Sequence, residues 1–345
     1  MTDFLTEKEL VLAHYAAIAK ATPKNVASIL AERTSTDWHW RGFHPFHEQR
    51  GATAVASTFW SPFLSSMAHL QRRQDIFFAG ANSLDDAKSI WVVSMGHLMG
   101  LLDAPFLDIP ATRKIAMLRY CEFNRVEGGR IVETAFFCDL LHLMHQAGLQ
   151  PLQNQTGQHL VQPGPATHDG LLFATQDAGE GVKTLMLINR MIGDIAANST
   201  AKGVLKPRDD TPQAELGRCW RDDMLWWGPD GIGATYTIDR YIEQHQRPFR
   251  TQLKDRKFNG HIARLAEGNY GGFFGWPNLT VTPTGGYLGL PANGLISADM
   301  RVIDIYRRDG DKLAENWIFI DILHFLNMQG LDLLGKLSPD STTNR

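Results

Sequence analysis

The sequence predicts an α+β protein built twice in tandem: two cone-shaped barrels, each a curved antiparallel sheet wrapped by three helices. Three observations lead there. The segment LRYCEFNRVEGGRIVETAFFCDLLHLMHQAGLQPL, from residue 118, lies without a gap over MRVIDIYRRDGDKLAENWIFIDILHFLNMQGLDLL, from residue 300. Arg119, Gly128, Glu133, Phe137, Asp139, His142 and Gly148 thereby meet Arg301, Gly310, Glu315, Phe319, Asp321, His324 and Gly330, each 182 positions later. That period is too long for a solenoid repeat and matches a self-sufficient domain. Each half also runs helical periodicity first and β-branched or aromatic strand runs afterwards. Finally, 43% hydrophobic and 21% charged residues suffice for two ordinary cores.

In copy one, EKELVLAHYAAIAK is the first helix, and PKNVASILAER a second with Pro23 where a first turn tolerates it. The aromatic, turn-rich STDWHWRGFHPFHEQRG follows, then a third helix with a stripe through Val55, Phe59, Phe63 and Met67. The runs QDIFFAGANS, SIWVVSMGHLMG, RKIAMLRYCEFNRVEG and RIVETAFFCDLLHLM form a meander, with Gly128-Gly129 as a hairpin turn. Copy two repeats the order: VKTLMLINRMIGDIAAN and PQAELGRCW as helices, DMLWWG as the aromatic strand, TIDRYIEQHQRPF as the third helix, then three strand runs from His261. The Gln-, Gly- and Pro-rich stretch between them reads as a linker, giving domains 1–152 and 177–340 around a linker at 153–176.

A net charge of -3 leaves no nucleic-acid footprint, so the expected partner is a small molecule or another copy of the fold. The longest apolar run, IWVVSMGHLMGLL, is too short to span a bilayer, and MTDFLTEKEL lacks an export signal; a cytoplasmic protein without membrane contact is expected. Cys121, Cys138 and Cys219 read as buried hydrophobes in a reducing compartment. His44 and His47 flank Pro45 and lack a third ligand, so no metal is expected. Gly228, Gly231 and Gly233 imitate a dinucleotide fingerprint, but Tyr236 holds the third glycine's place and no βαβ unit follows; no cofactor is expected.

Strand side chains alternate with period two, so Glu133, Ala135, Phe137 and Asp139 share one face, as do Glu315, Trp317, Phe319 and Asp321. If that row faces a cavity, poor hydration raises the carboxyl pKa of Asp139 or Asp321 and makes it a general base or acid. Each Asp equally reads as the cap of the helical stretch that follows, and the two roles can coexist.

Together, Gly96-His97 with Gly100, Ile109 to Thr112, Phe123 with Arg125, the Gly128 turn and the Asp139 segment resemble the SnoaL-like polyketide cyclase family of the NTF2-like superfamily. Copy two is similar through Gly268 to Gly272, Leu288 to Gly294, Asp304 to Gly310 and Glu315 to Asp321. The resemblance implies the cone fold, dimerisation through the sheet, here as an internal pseudo-dimer with or without a further homodimer, and cofactor-free aldol closure or isomerisation of a carbonyl-rich or polycyclic molecule. Asp139 and Asp321 match the family's proton-abstracting Asp. His97 is the candidate polar partner for the enolate, with Asn269 as its counterpart. Trp38 or Trp40, and Trp226 or Trp227, are expected to line the pocket for a flat ligand, one of each pair pointing elsewhere. Phe137, Trp227, Asn269 and Trp317 complete the expected binding set. A non-catalytic small-molecule-binding module is the rival reading.

Overall fold

The computed structural model describes residues 3–152, 157, 161–197, 211–291 and 294–337, the side chains of 196 and 197 excepted. Expected linker positions 153–156 and 158–160, Asn198 of a predicted helix and residues 338–340 lie outside the described residues. The chain forms two compact units: unit 1 from 1–151, 166–175 and 330–345, and unit 2 from 152–165 and 176–329.

Unit 1 opens with α1 (Leu5–Ile18) and α2 (Val26–Ala31), then β1 (Thr34–Gly42) and β2 (His47–Arg50). A continuous helical run follows as α3 (Gly51–Val55), a π-turn (Ala56–Trp60) and α4 (Ser61–Ser66). Then come β3 (Met67–Ala81), β4 (Ile90–Leu102), β5 (Ile115–Glu127), β6 (Arg130–Cys138) and α5 (Leu140–Gln146). The sheet order is β2-β1-β6-β5-β4-β3. One ladder departs from the antiparallel expectation: β1 runs parallel to β6, because the first strand returns beside the last after the helices have intervened. Residues 166–175, expected as linker, add to this unit: Leu171 bridges Phe77, and the Lys8 ammonium donates to the Leu172 carbonyl at 2.6 Å.

Unit 2 repeats the plan: α6 (Ala178–Ala197), α7 (Pro212–Gly217), β7 (Trp220–Trp227), β8 (Ala234–Tyr236) and α8 (Ile238–Tyr241). A π-turn (Ile242–Gln246) and α9 (Arg247–Gln252) complete its helical run. The strands β9 (Leu253–Phe258), β10 (Ala263–Glu267), β11 (Tyr270–Pro283), β12 (Ala298–Asp309) and β13 (Lys312–Ile320) precede α10 (Ile322–Met328). The sheet order is β10-β11-β12-β13-β7-β8, with β13 parallel to β7.

The units differ at one edge. In unit 1 the single strand β3 lies along the whole of β4. In unit 2 its place is shared by β10, which pairs with Tyr270 to Phe274, and β9, which pairs with Leu279 to Pro283. The register of β11 on β12 shifts between Gly275 and Leu279, where Pro277 has no N–H to give a ladder. At this broken edge Phe258, His261 and Asn278 line a cavity.

Candidate functional site

The cavity of unit 2 encloses about 840 Å³. Its walls follow from periodicity. On β12, Asp304 and Tyr306 are two residues apart and face inward; on β13, Asn316 and Ile318 do the same; β7 contributes Trp226. Opposite the sheet, Tyr241, His245 and Phe249 recur every fourth residue along the third helical run and present one face. The π-turn sets His245 parallel to the Trp226 indole, ring centroids 4.0 Å apart at 25°. Tyr241 meets the same indole edge-on at 5.6 Å, and His261 stacks on Phe273 at 3.8 Å. Aromatic rings thus form flat parts of a wall that also carries charged side chains, Arg250, Arg256 and Lys257 among them.

Four carboxyls line the cavity: Asp194, paired with Arg218; Glu215, paired with Arg250; Asp255; and, on the sheet wall, Asp304. Asp304 is 7% exposed. The Asn316 amide donates to its Oδ1 at 3.0 Å, and the Tyr306 hydroxyl donates to the same group. Asn316 is held in turn by donating to the Ile305 carbonyl, also at 3.0 Å. Burial pushes the Asp304 carboxyl from 3.8 up to about 7, the two hydrogen bonds opposing the rise. Among the described residues no cation contributes. Tyr306 and Tyr241 are pushed well above the phenol range, first by burial and then by the Asp304 charge, so both remain hydrogen-bond donors. Burial lowers His245 to about 3; it is a neutral imidazole at physiological pH.

Unit 1 holds the same positions with different chemistry. Glu122, 182 residues before Asp304, is paired at 2.7 Å with Arg72. That guanidinium lies 3.8 Å from the ring centroid of Tyr15 and 4.5 Å from that of Tyr120. Trp40, which opposes Thr134 as Trp226 opposes Asn316, stacks on Phe136 at 5.6 Å. Phe59, the fourth residue of its π-turn as His245 is of its own, packs at 4.7 Å from Phe136 and 5.1 Å from Phe63. Aromatic rings thus pack together at unit 1 positions whose counterparts line the cavity of unit 2.

The expected catalytic residues lie elsewhere. Asp139 caps α5, accepting from the His142 N–H at 3.0 Å, and Asp321 caps α10 in the same way at 3.3 Å while meeting Arg301 at 3.3 Å. The alternation expected along β6 and β13 is present, but the inward members are Asn316 and Ile318, so the row Glu315, Trp317, Phe319 faces away from the cavity. Its acids are engaged: Glu315 pairs with Arg307, and Glu133 with Arg41 and Arg125. Phe137 packs on Phe43 at 4.3 Å. The structure brings His97 and Asp139 into one buried polar row on the outer face of unit 1. His97 Nδ1 is 3.3 Å from Asp75 and His97 opposes Arg119 across the ladder, while burial lowers Arg119 to about 10 against the pull of Asp139.

Asn269 is not the counterpart of His97. It sits in the β10–β11 turn, accepting from Arg308 at 2.8 Å, next to Tyr270, which opposes Arg307. Arg301, the counterpart of Arg119, instead lies 4.2 Å over Trp276. Both Trp38 and Trp40 bury on the inner face, as residues two apart on a strand must; Trp38 donates to Thr134 Oγ1 at 3.0 Å. Of the second pair, Trp226 lines the cavity, whereas Trp227 opposes Trp317 on the reverse face, where Trp317 donates to the Pro163 carbonyl at 3.0 Å. Asp304, Tyr306, Asn316, Tyr241 and His245 were missed as site residues. A carboxyl two residues before a tyrosine in a buried strand was their available signal.

Among the described residues there is no group of three side chains suited to a metal ion, and no helix is long and apolar enough to cross a membrane. No family model and no curated protein matches the chain. Solved structures similar to it include one described as a SnoaL-like polyketide cyclase from Jannaschia sp. CCS1, 16% identical, covering 43% of this chain and 95% of its own, with a TM-score of 0.34. An NTF2-like protein from Burkholderia xenovorans LB400 is 8% identical over 43% of this chain and 97% of its own, TM-score 0.33. An NTF2-like protein from Burkholderia thailandensis E264 is 19% identical over 44% and 100%, TM-score 0.31.

Proposed function

We propose that unit 2 is a cofactor-free acid/base site of the polyketide-cyclase type, acting on a small, flat, carbonyl-bearing molecule through Asp304. The observation that carries this reading is a buried cavity carboxyl whose pKa, about 7, suits a base that must both take and return a proton near neutrality. Ionised Asp304 removes a proton from the carbon between or beside carbonyls; the C–H electrons move onto the carbonyl oxygen as an enolate. The Tyr241 hydroxyl and the neutral His245 imidazole line the same cavity and supply hydrogen bonds to that oxygen, while Tyr306 keeps its hydrogen bond to Asp304. The enolate carbon then either attacks a second carbonyl, whose oxygen takes the proton from Asp304, or recovers the proton at another carbon. Stacked Trp226 and His245 support a planar ligand.

The test is ligand capture followed by isotope exchange. The compound retained by the protein from its host is identified by mass spectrometry, then incubated with protein in D₂O. Exchange of its α-hydrogens by the native chain and a loss of about 10²–10⁴-fold in Asp304→Asn are expected. A captured compound that the native chain binds without exchanging or converting marks a binding module and defeats the proposal.

A further inference from the structure

We infer that Phe258 is a specificity-determining residue of the unit 2 cavity: it stands where unit 1 carries the cation that occupies Glu122, and so offers its ring to the apolar face of a flat molecule. The equivalence comes from register. Arg72 opposes Leu98, which opposes Leu118; Phe258 opposes Leu279, which opposes Met300, and Leu118 and Met300 are counterparts in the duplication. In unit 1 the Arg72 side chain reaches the carboxylate and lies between two tyrosine rings, satisfying the charge and closing the interior together. In unit 2 the same strand position holds a benzyl group, which offers Asp304 neither charge nor hydrogen bond.

Phe258 is also placed to touch what enters. It lines the cavity yet is 53% exposed, and its ring meets His261 edge-on at 5.0 Å, at the junction of β9 and β10. A second half-exposed apolar side chain, Ile195, lines the same cavity. Apolar surface left in water at a cavity wall is covered on binding by an apolar face, at ~25 cal/mol per Å². The occupant therefore presents an apolar face where it crosses Phe258.

This inference rests on the cavity being the ligand site, and its test needs no turnover. Binding of the neutral fluorophore N-phenyl-1-naphthylamine and the ¹³C titration of the Asp304 carboxyl are measured in native protein, Phe258→Arg and Phe258→Leu. Phe258→Arg should weaken the probe about tenfold or more and lower the Asp304 midpoint by about one unit or more, as a cation beside a carboxylate does. Phe258→Leu should weaken the probe severalfold and leave the midpoint in place. A folded Phe258→Arg protein with native affinity and midpoint overturns the inference. So does a Phe258→Leu protein that binds the probe as the native chain does, whether or not the arginine variant folds. Failure of hydrogen exchange with an intact Phe258 effect would sink the catalytic reading alone.

Discussion

Replacing Asp304 by Asn should stabilise unit 2, and by an amount that grows with pH. The carboxyl titrates near 7 in the folded chain against 3.8 when solvated, a gap of about three units, or ~4 kcal/mol at 1.36 kcal/mol per unit. The sign follows from linkage. A carboxyl with a raised folded pKa binds its proton more tightly in the folded state, so stability is whole below about 3.8, declines as pH climbs toward 7 and is lowest above it. The amide of Asn has no charge to desolvate and still accepts from Asn316. Relative to the native chain, Asp304→Asn should therefore gain about 2–3 kcal/mol between pH 5 and pH 9. With urea slopes of about 1–3 kcal/mol per molar, the midpoint gap should widen by roughly 1–2 M. Following the unfolding by hydrogen exchange of β12 and β13 peptides reads unit 2 separately. A gap that stays constant across that pH range refutes the claim that Asp304 is held uncompensated.

Arg72→Met should destabilise unit 1 by about 3–5 kcal/mol, because it leaves Glu122 buried beside two tyrosines without its cation; thermal melting measures the loss, and probe binding in unit 2 should not change. Asp139→Ala and Asp321→Ala should each cost more than the about 1 kcal/mol of a lost cap, because Arg119 and Arg301 also lose a neighbouring carboxylate, and neither should alter probe affinity. Native mass spectrometry should count one captured ligand per chain. Two would contradict the aromatic packing inside unit 1.

Much of the fold was legible because duplication and periodicity are local signals. The 182-residue offset holds through β5, β6 and their partners, where both copies keep the same strand and turn lengths. It fails upstream, where Pro277 and the split of one long strand into β9 and β10 shift the spacing, and that slip is what matched His97 to Asn269. Alternation was read correctly along β13 but with the wrong face inward. The row ending in Asp321 is the more apolar and so resembled a cavity wall, whereas the true wall mixes Asn316 and Asp304 with aromatic rings. Which parity faces inward depends on the partner strand and the helix across the cavity, neither of which is written in β13 itself. The helix cap was legible from local sequence; Tyr241 and His245, four residues apart within an ordinary amphipathic run, carried no local mark of their role.

The pH dependence of kcat/KM on the captured compound decides whether the Asp304 carboxylate of unit 2 is the base. kcat/KM should rise about tenfold per pH unit and level off above about 7, in step with ionisation of that carboxyl. A profile flat from pH 5 to 9 would contradict it.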